Sequence, residues 1–180
     1  HRCLIAHPAN PPHLIPCVEI CTSENTSIET IEKAKEIFKL SGSSIVTVNK
    51  EIDGFILNRL QGALLNEAMR LYTEGYASSE DIDATIKDGL GLRWAFMGPF
   101  ETIDLNAPGG IKDYMSRYGS IFIEMAKTQT KIPDWSDDAG NKLELERRKV
   151  LSKDDLEKRA KKRNFLLKQL RRLKIESDES

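Results

Sequence analysis

The feature of the sequence that most constrains the fold is a change in the spacing of apolar residues at Gly54. Before it, short apolar runs separated by loops predict three strands, over 2–6, 17–21 and 44–48. A capping box at Thr26 and Glu29 opens a helix over 28–40 between the last two strands. After Gly54, apolar residues keep a helical period for five turns, and a similar stripe returns over 111–127. The sequence therefore predicts the end of an α/β sheet unit followed by an all-helical part.

Charge divides the chain a second time, near Asn141. The net charge is -1, yet residues 142–174 carry 14 Lys and Arg against 5 Asp and Glu. We therefore expect three parts, which are an α/β part over 1–50, a helical part over 51–140 and a basic helical tail over 141–180. A basic run can bind nucleic acid or an anionic membrane. A solvated helix that packs one apolar edge on the body or on a partner subunit is the favoured interpretation, because Phe165 is the one aromatic residue in the tail.

Several classes of protein are excluded by composition. Three cysteines provide no disulfide framework, and no run of 18 apolar residues or charged leader indicates a membrane span or a signal peptide. A reducing, cytoplasmic location is expected. The histidines and cysteines match no zinc spacing, so no metal is predicted. Because His1 leads directly into an apolar run, we expect the chain to be part of a longer protein.

A proline-rich loop after the first strand holds the densest group of candidate site residues. Residues 7–12 are His-Pro-Ala-Asn-Pro-Pro, and ligands of α/β sheets bind beyond the carboxyl ends of the strands. Proline restricts its own backbone and that of the preceding residue, so the loop would hold the His7 imidazole and the Asn10 amide in fixed positions. His7 is a candidate general base and Asn10 a candidate substrate-binding residue. A histidine that only caps the strand fits the pattern equally well.

Glu19 is a carboxylate in the second predicted strand, where Val18 and Ile20 flank it. Burying a carboxylate among apolar side chains is costly unless it is paired. If the two strands place it against His7, it would fix the tautomer of the imidazole and stabilise the imidazolium. A glutamate on the exposed face of a half-buried strand is the alternative interpretation.

Two more polar residues stand in informative segments. Asn58 lies one turn into the helix after Gly54, and we expect it to share the stripe of Leu57 and point inward, towards either a substrate oxygen or a structural network. Arg93 follows a glycine-rich run that is not a dinucleotide fingerprint, because Trp94 replaces its third glycine and no strand precedes it. Arg93 is a candidate for binding a substrate carboxylate, although a salt bridge is the commoner use of one arginine.

Four segments together carry a resemblance to a known enzyme family. They are the loop 7–12, Glu19 twelve residues after His7, the segment 53–60 with Asn58, and the segment 89–106. The chain resembles the 3-hydroxyacyl-CoA dehydrogenase superfamily over about residues 2–135, and within it the lambda-crystallin and L-gulonate 3-dehydrogenase branch. The acyl-CoA enzymes have aromatic residues where Pro8 and Ala9 stand here, which favours the branch that acts on small hydroxy acids.

The resemblance implies both a fold and a reaction. The first part would be the end of a Rossmann domain whose NAD-binding fingerprint and catalytic serine lie upstream of His1. The second part would be the all-α C-terminal dehydrogenase domain, which pairs two subunits into a homodimer. His7 would take the proton of a 3-hydroxyl, Glu19 would stabilise the charge on His7, and Asn58 would orient the reacting oxygen. NAD would accept the hydride, so this chain alone is expected to be inactive.

More than one function remains open at this point. The favoured function is part of an NAD-dependent oxidoreductase that acts on a small 3-hydroxy acid such as L-gulonate. A 3-hydroxyacyl-CoA dehydrogenase is the nearest alternative. A catalytically inactive, crystallin-like structural or dimerisation module, and a module that binds through its basic tail, belong to other classes.

Overall fold

The computed structural model of the chain describes residues 1–178 and divides into two compact units. Unit 1 comprises residues 1–64 and 157–178. Unit 2 comprises residues 65–156. Unit 1 is therefore assembled from both ends of the described chain, whereas unit 2 is one continuous segment.

Unit 1 contains a three-stranded sheet with the order β1-β2-β3. The strands are β1 (Leu4–Pro8), β2 (Cys17–Thr22) and β3 (Ser44–Val48). β1 runs antiparallel to β2, and β2 runs parallel to β3. The parallel pair is joined through helix α1 (Ile28–Leu40), as parallel strands require a crossover. The three predicted strands and the intervening helix are thus present, with β1 displaced by two residues towards the C-terminus.

The core of unit 1 lies on the central strand. Val18, Glu19, Ile20 and Cys21 are all buried, and Ile20 is fully excluded from solvent. A strand covered on both faces shows such a continuous buried run rather than an alternation. The buried carboxylate in this run needs partners of its own.

The start of α1 differs from the predicted capping box by one residue. Ser27 is the N-cap, and its side chain accepts a hydrogen bond from the backbone N–H of Thr30. The prediction of Thr26 was wrong because its hydroxyl is used elsewhere: Thr26 Oγ1 donates to the carbonyl oxygen of Cys3 at 2.7 Å. Thr26 therefore binds the residue that precedes β1 and does not cap α1.

Helices form the rest of the described chain. They are α2 (Phe55–Thr73), α3 (Ser79–Ala84), α4 (Gly91–Trp94), α5 (Pro99–Leu105), α6 (Gly110–Thr128), α7 (Asp137–Val150) and α8 (Leu156–Asp178). A π-helical segment, Thr85–Leu90, joins α3 to α4. Gly91 is required there, since a Cβ at this residue would lie 2.8 Å from the carbonyl oxygen of Ile86. No helix within residues 1–178 is long and apolar enough to cross a membrane.

The basic segment predicted as one helical tail forms two helices instead. α7 begins at Asp137 after the N-cap Ser136, so the boundary expected near Asn141 falls inside this helix. α7 belongs to unit 2, whereas nearly all of α8 belongs to unit 1. In unit 1, Arg171 Nη2 of α8 donates to the carbonyl oxygen of Gly42 at 3.2 Å. Residues 179 and 180 of the predicted tail lie outside the described residues.

We expect Ile20→Ala to lower the free energy of unfolding by about 2–5 kcal/mol, because it removes a fully buried side chain and leaves a cavity. Urea denaturation monitored by circular dichroism measures the change. Ile28→Ala is the matched control, because Ile28 is 69% exposed in the same unit, and its effect should stay within about 0.5 kcal/mol. Equal effects of the two substitutions would contradict the assignment of β2 as the core.

Candidate active site

His7 and Glu19 face each other across the antiparallel strands. The register of β1 on β2 pairs the two residues directly, and cross-strand neighbours have side chains close enough to interact. His7 Nδ1 lies 2.8 Å from Glu19 Oε2. The Glu19 side chain is 1% exposed, whereas that of His7 is 31% exposed. The pair therefore joins a buried carboxylate to an imidazole that solvent or a ligand can reach.

The second carboxylate oxygen of Glu19 binds the beginning of α2. Glu19 Oε1 accepts hydrogen bonds from the backbone N–H groups of Ile56 at 2.8 Å and Leu57 at 2.9 Å. The first amides of a helix have no intrahelical acceptor and carry partial positive charge, which favours an anion. The first turn of α2 contains no acidic residue of its own. Glu19 thus supplies from a strand the negative charge that this helix N-terminus lacks.

The turn at the start of α2 has an unusual backbone. Gly54 and Phe55 both have positive φ, at 82° and 50°. Glycine adopts this left-handed region freely, but a bulky aromatic residue in it costs of order 1–3 kcal/mol. The Phe55 ring stacks on the His7 imidazole, with ring centroids 5.3 Å apart and planes inclined by 18°. The same turn therefore contacts His7 through a side chain and Glu19 through the two amides that follow.

The surroundings of Glu19 keep its carboxyl group ionised. Burial by itself raises the pKa of Glu19, but the hydrogen bonds from His7, Leu57 and Ile56 outweigh it and hold the pKa below the usual value of 4.5. An ionised carboxylate only accepts hydrogen bonds, so Nδ1 of His7 carries the proton that they share. In a neutral imidazole the lone pair then resides on Nε2. Within residues 1–178, Nε2 has no hydrogen-bond partner.

The contacts of His7 and Glu19 with Phe55, Ile56 and Leu57 form one cluster. The other residues singled out in the sequence are not part of it. Asn58 is exposed, against the expectation that it would point inward, because it lies about 100° around α2 from Leu57, which is half-buried. Asn10 is also exposed, two residues beyond β1. Arg93 is exposed on α4 and belongs to unit 2. The glycine-rich run before Arg93 is helical and follows no strand, so it does not form a dinucleotide-binding turn.

Two contributions to the cluster were not recognised in the sequence. One is the Phe55 ring, and the other is the pair of backbone amides at Ile56 and Leu57. A helix that begins directly after a glycine, with neither Ser, Thr, Asp nor Asn at its cap, was the available signal. Such a helix needs an acceptor from another element, and a buried glutamate needs donors.

The sequence matches two family models that divide it close to Asp53. Residues 1–52 match the 3-hydroxyacyl-CoA dehydrogenase NAD binding domain, and residues 54–153 match the 3-hydroxyacyl-CoA dehydrogenase C-terminal domain. The chain belongs to the 3-hydroxyacyl-CoA dehydrogenase family. His7 and Glu19 therefore lie in the segment that matches the NAD binding domain, and Phe55 is the second residue of the segment that matches the C-terminal domain.

Relatives of this family member carry several names. Lambda-crystallin of Oryctolagus cuniculus is 41% identical over 175 residues, which is 96% of this chain and 54% of that protein. L-carnitine dehydrogenase of Pseudomonas putida is 41% identical over 137 residues, which is 76% of this chain and 42% of that protein. The chain spans about half the length of the relatives it matches.

A solved structure similar to this one covers nearly the whole chain. It is a 5-formyl-3-hydroxy-2-methylpyridine 4-carboxylic acid 5-dehydrogenase, described as an NAD+ dependent dismutase. It matches with a TM-score of 0.76 and 25% identity, over 94% of this chain and 55% of that one. The strand and helix arrangement of this family member is thus shared with an enzyme that uses NAD+.

We expect Glu19→Gln to destabilise the protein by about 1–3 kcal/mol at pH 7, because it replaces a buried anion whose hydrogen bonds are satisfied. The pKa of Glu19 is lowered by folding, so the stability that it adds is complete above pH 4.5 and is lost as the pH falls through the folded value below it. Denaturation from pH 3 to 8 should therefore show the difference between wild type and variant shrinking below about pH 4.5.

The exposed Glu36 of α1 provides the control for that titration. Glu36→Gln keeps the same change of charge outside the cluster, and its effect on stability should stay within about 0.5 kcal/mol. A difference between Glu19→Gln and wild type that is the same at pH 3 and pH 8 would show that the lowered pKa contributes nothing to folding.

Proposed function

We propose that this chain is part of an NAD-dependent oxidoreductase that oxidises the 3-hydroxyl of a small hydroxy acid such as L-gulonate. The observation that supports it is the hydrogen bond of 2.8 Å between His7 Nδ1 and the buried Glu19. This arrangement leaves Nε2 as the basic nitrogen on a part-exposed ring. Oxidation of an alcohol requires a base for the hydroxyl proton, and imidazole suits that task near neutral pH.

His7 is the proposed proton acceptor. Its Nε2 takes the hydroxyl proton of the substrate, and the ring becomes a cation that keeps its hydrogen bond to Glu19 through Nδ1. The Glu19 carboxylate stabilises this cation and holds the ring in one tautomer throughout. The two amides on Glu19 Oε1 keep the carboxylate from turning away from the imidazole. In the direction of reduction, the same nitrogen returns the proton.

The residues of this chain fit the proton chemistry of a nicotinamide enzyme. When bound, NAD supplies the acceptor for the hydride that leaves the substrate carbon. Among residues 1–178 no glycine-rich turn joins a strand to a helix N-terminus, so the described residues contribute no cradle for the pyrophosphate. Their part in the reaction is to hold the base and to exchange its proton.

Substrate binding is assigned to three polar residues of the chain. Asn58 would orient the reacting oxygen, since its exposed amide follows directly on the turn that holds the His7 and Glu19 pair. Asn10 lies on the loop after His7 and would bind the substrate from that side. For Arg93, an exposed guanidinium of unit 2, the proposed role is binding of a carboxylate, which rests on the chemistry of the side chain alone.

A small hydroxy acid is favoured over a CoA thioester by the loop and by the relatives. The residues after the histidine are Pro8 and Ala9, which are not the aromatic residues expected of the acyl-CoA enzymes. One relative is named for L-carnitine, which is itself a small 3-hydroxy acid. A 3-hydroxyacyl-CoA thioester remains the alternative substrate, because the family as a whole is named for it.

The proposed division of the chain has three parts, and the second family match, over 54–153, continues across residue 141. Residues 1–50 form the end of the nucleotide-binding domain, 51–140 the helical substrate and dimerisation domain, and 141–180 the C-terminal basic segment. The matches to residues 1–52 and 54–153 support the first boundary.

A reducing compartment such as the cytoplasm fits the cysteines. Cys3, Cys17 and Cys21 are free thiols. Burial, together with the nearby negative charge of Glu19, raises the pKa of Cys17, which keeps its thiol protonated. The proposal therefore includes a cytoplasmic location.

Helix α6 is the proposed surface for a second copy of the chain. One stripe of its residues is apolar and exposed at alternating intervals of four and three, which is the spacing of a helix-packing seam. The stripe consists of Ile111, Met115, Tyr118, Phe122 and Met125. Large exposed apolar stripes of this kind mark interfaces, and self-association buries such a stripe against its own copy.

We expect His7→Ala in the complete protein to lower kcat about 10²–10⁴-fold, because it removes the proposed base. The assay follows NADH formation with L-gulonate, L-carnitine and a 3-hydroxyacyl-CoA as substrates. His13→Ala is the control, since His13 is an exposed histidine of the same loop region, and its kcat should stay within about twofold. Normal turnover by a folded His7→Ala protein would refute the proposed function, and turnover of the CoA substrate alone would replace the substrate class.

We expect Met115→Glu to weaken dimerisation about a hundredfold, because the substitution buries a charge in the apolar seam. Analytical ultracentrifugation of the complete protein over a range of concentrations measures the dissociation constant. Ile123→Glu adds the same charge to the same helix about 100° away from the seam, at another exposed position, and should leave the dimer intact. A wild-type monomer, or equal effects of both variants, would exclude this surface.

A further inference from the structure

The turn at Gly54 and Phe55 contacts both members of the His7 and Glu19 pair. The Phe55 ring stacks on the imidazole at a centroid distance of 5.3 Å. The amides of the next two residues donate to Glu19 Oε1 at 2.8 and 2.9 Å. A displacement of this turn would therefore have two effects at once. It would move the Phe55 ring away from His7, and it would move the two amides that donate to Glu19.

The backbone conformation of Phe55 indicates that its aromatic ring has a specific role. Phe55 has a φ of 50°, in a region where Gly, Asn and Asp are the tolerated residues. A bulky side chain persists there only when its surroundings hold it, and such strain is concentrated at functional sites. Among residues 1–178, the aromatic ring of Phe55 makes one ring contact, which is its stack on His7.

We infer that Phe55 is a positioning residue for His7. Its ring fixes the plane of the imidazole, so that Nδ1 stays directed at Glu19 and Nε2 stays directed at the substrate. The inference rests on the proposed function of His7 as the base. A hydrogen bond through Nδ1 alone leaves the imidazole free to tilt about that bond, and a ring stacked at an inclination of 18° removes this freedom.

Imidazole orientation bears on rate more than on binding. A proton acceptor must lie within hydrogen-bond reach of the hydroxyl in the reactive complex. A misplacement of about 1 Å at such a group costs on the order of 10²-fold in rate. Loss of the stacked ring is therefore expected to lower kcat and to leave KM almost unchanged.

The experiment compares Phe55→Leu with Phe55→Tyr in the complete protein. Leucine keeps an apolar side chain and removes the ring, whereas tyrosine keeps the ring. Phe38→Leu is the matched control, because Phe38 is half-buried in the same unit, as Phe55 is. Kinetics with NAD and the hydroxy acid give kcat and KM. Long-range ¹H–¹⁵N correlation spectra of the same proteins show which nitrogen of His7 carries the proton.

For Phe55→Leu we expect kcat to fall about tenfold with KM within about twofold of wild type. The ¹⁵N resonances of His7 should still show the Nδ1-protonated tautomer that Glu19 holds, and the Nδ1–H signal should broaden because the imidazole tilts about that hydrogen bond. Phe55→Tyr and Phe38→Leu should match wild type in both measurements. If Phe55→Leu fails to fold, Phe55→Met carries the same test, because it also replaces the ring by a flexible apolar chain.

Two results would overturn the inference. One is a Phe55→Leu protein that matches Phe38→Leu in both kcat and the His7 resonances. The other is an equal loss in Phe55→Leu and Phe55→Tyr, since tyrosine retains the ring. The His7→Ala protein separates this outcome from failure of the proposed function. If His7→Ala is inactive while Phe55→Leu is normal, only the proposed role of Phe55 is rejected. An active His7→Ala protein would instead reject the proposal that His7 is the base.

Discussion

The buried carboxylate of Glu19 is the interaction on which the geometry of unit 1 depends. It is nearly inaccessible to solvent, and its two oxygens bind two different elements: Oε2 pairs with His7 of β1, and Oε1 accepts from the first amides of α2. Burying a carboxylate without such partners costs several kcal/mol. Removal of either set of donors would leave the charge uncompensated, so the strand pair and the helix start stabilise each other through one side chain.

This arrangement joins the two segments that the family models distinguish. The imidazole and the carboxylate come from residues 1–52, and the ring and the amides come from the first residues after Asp53. The position of the first long helix and the orientation of the His7 imidazole therefore depend on each other. A change in the way that helix begins would reorient the imidazole without any change to the histidine itself.

Local pattern was sufficient to predict β3, α1 and most of α2, because each depends on the spacing of apolar residues along a short segment. Residue chemistry suggested that His7 and Glu19 meet, but the strand register that brings them together involves residues 12 apart and is visible only in the structure. Glu19 also accepts a hydrogen bond from the start of a helix 37 residues later, and the local sequence pattern gives no sign of this contact. Charge marked a basic C-terminal segment, but it carries no information on how many helices the segment forms or on the unit to which each helix belongs.

The return of α8 to unit 1 has a consequence for synthesis of the protein. Arg171 of α8 donates to the carbonyl oxygen of Gly42, 129 residues earlier. Chains emerge from the ribosome N-terminus first, and compact units fold as they become complete. Unit 2 is a continuous segment that ends at Leu156, the first residue of α8. It can therefore reach its full length before Arg171 of α8 is available to bind Gly42, which is translated much earlier.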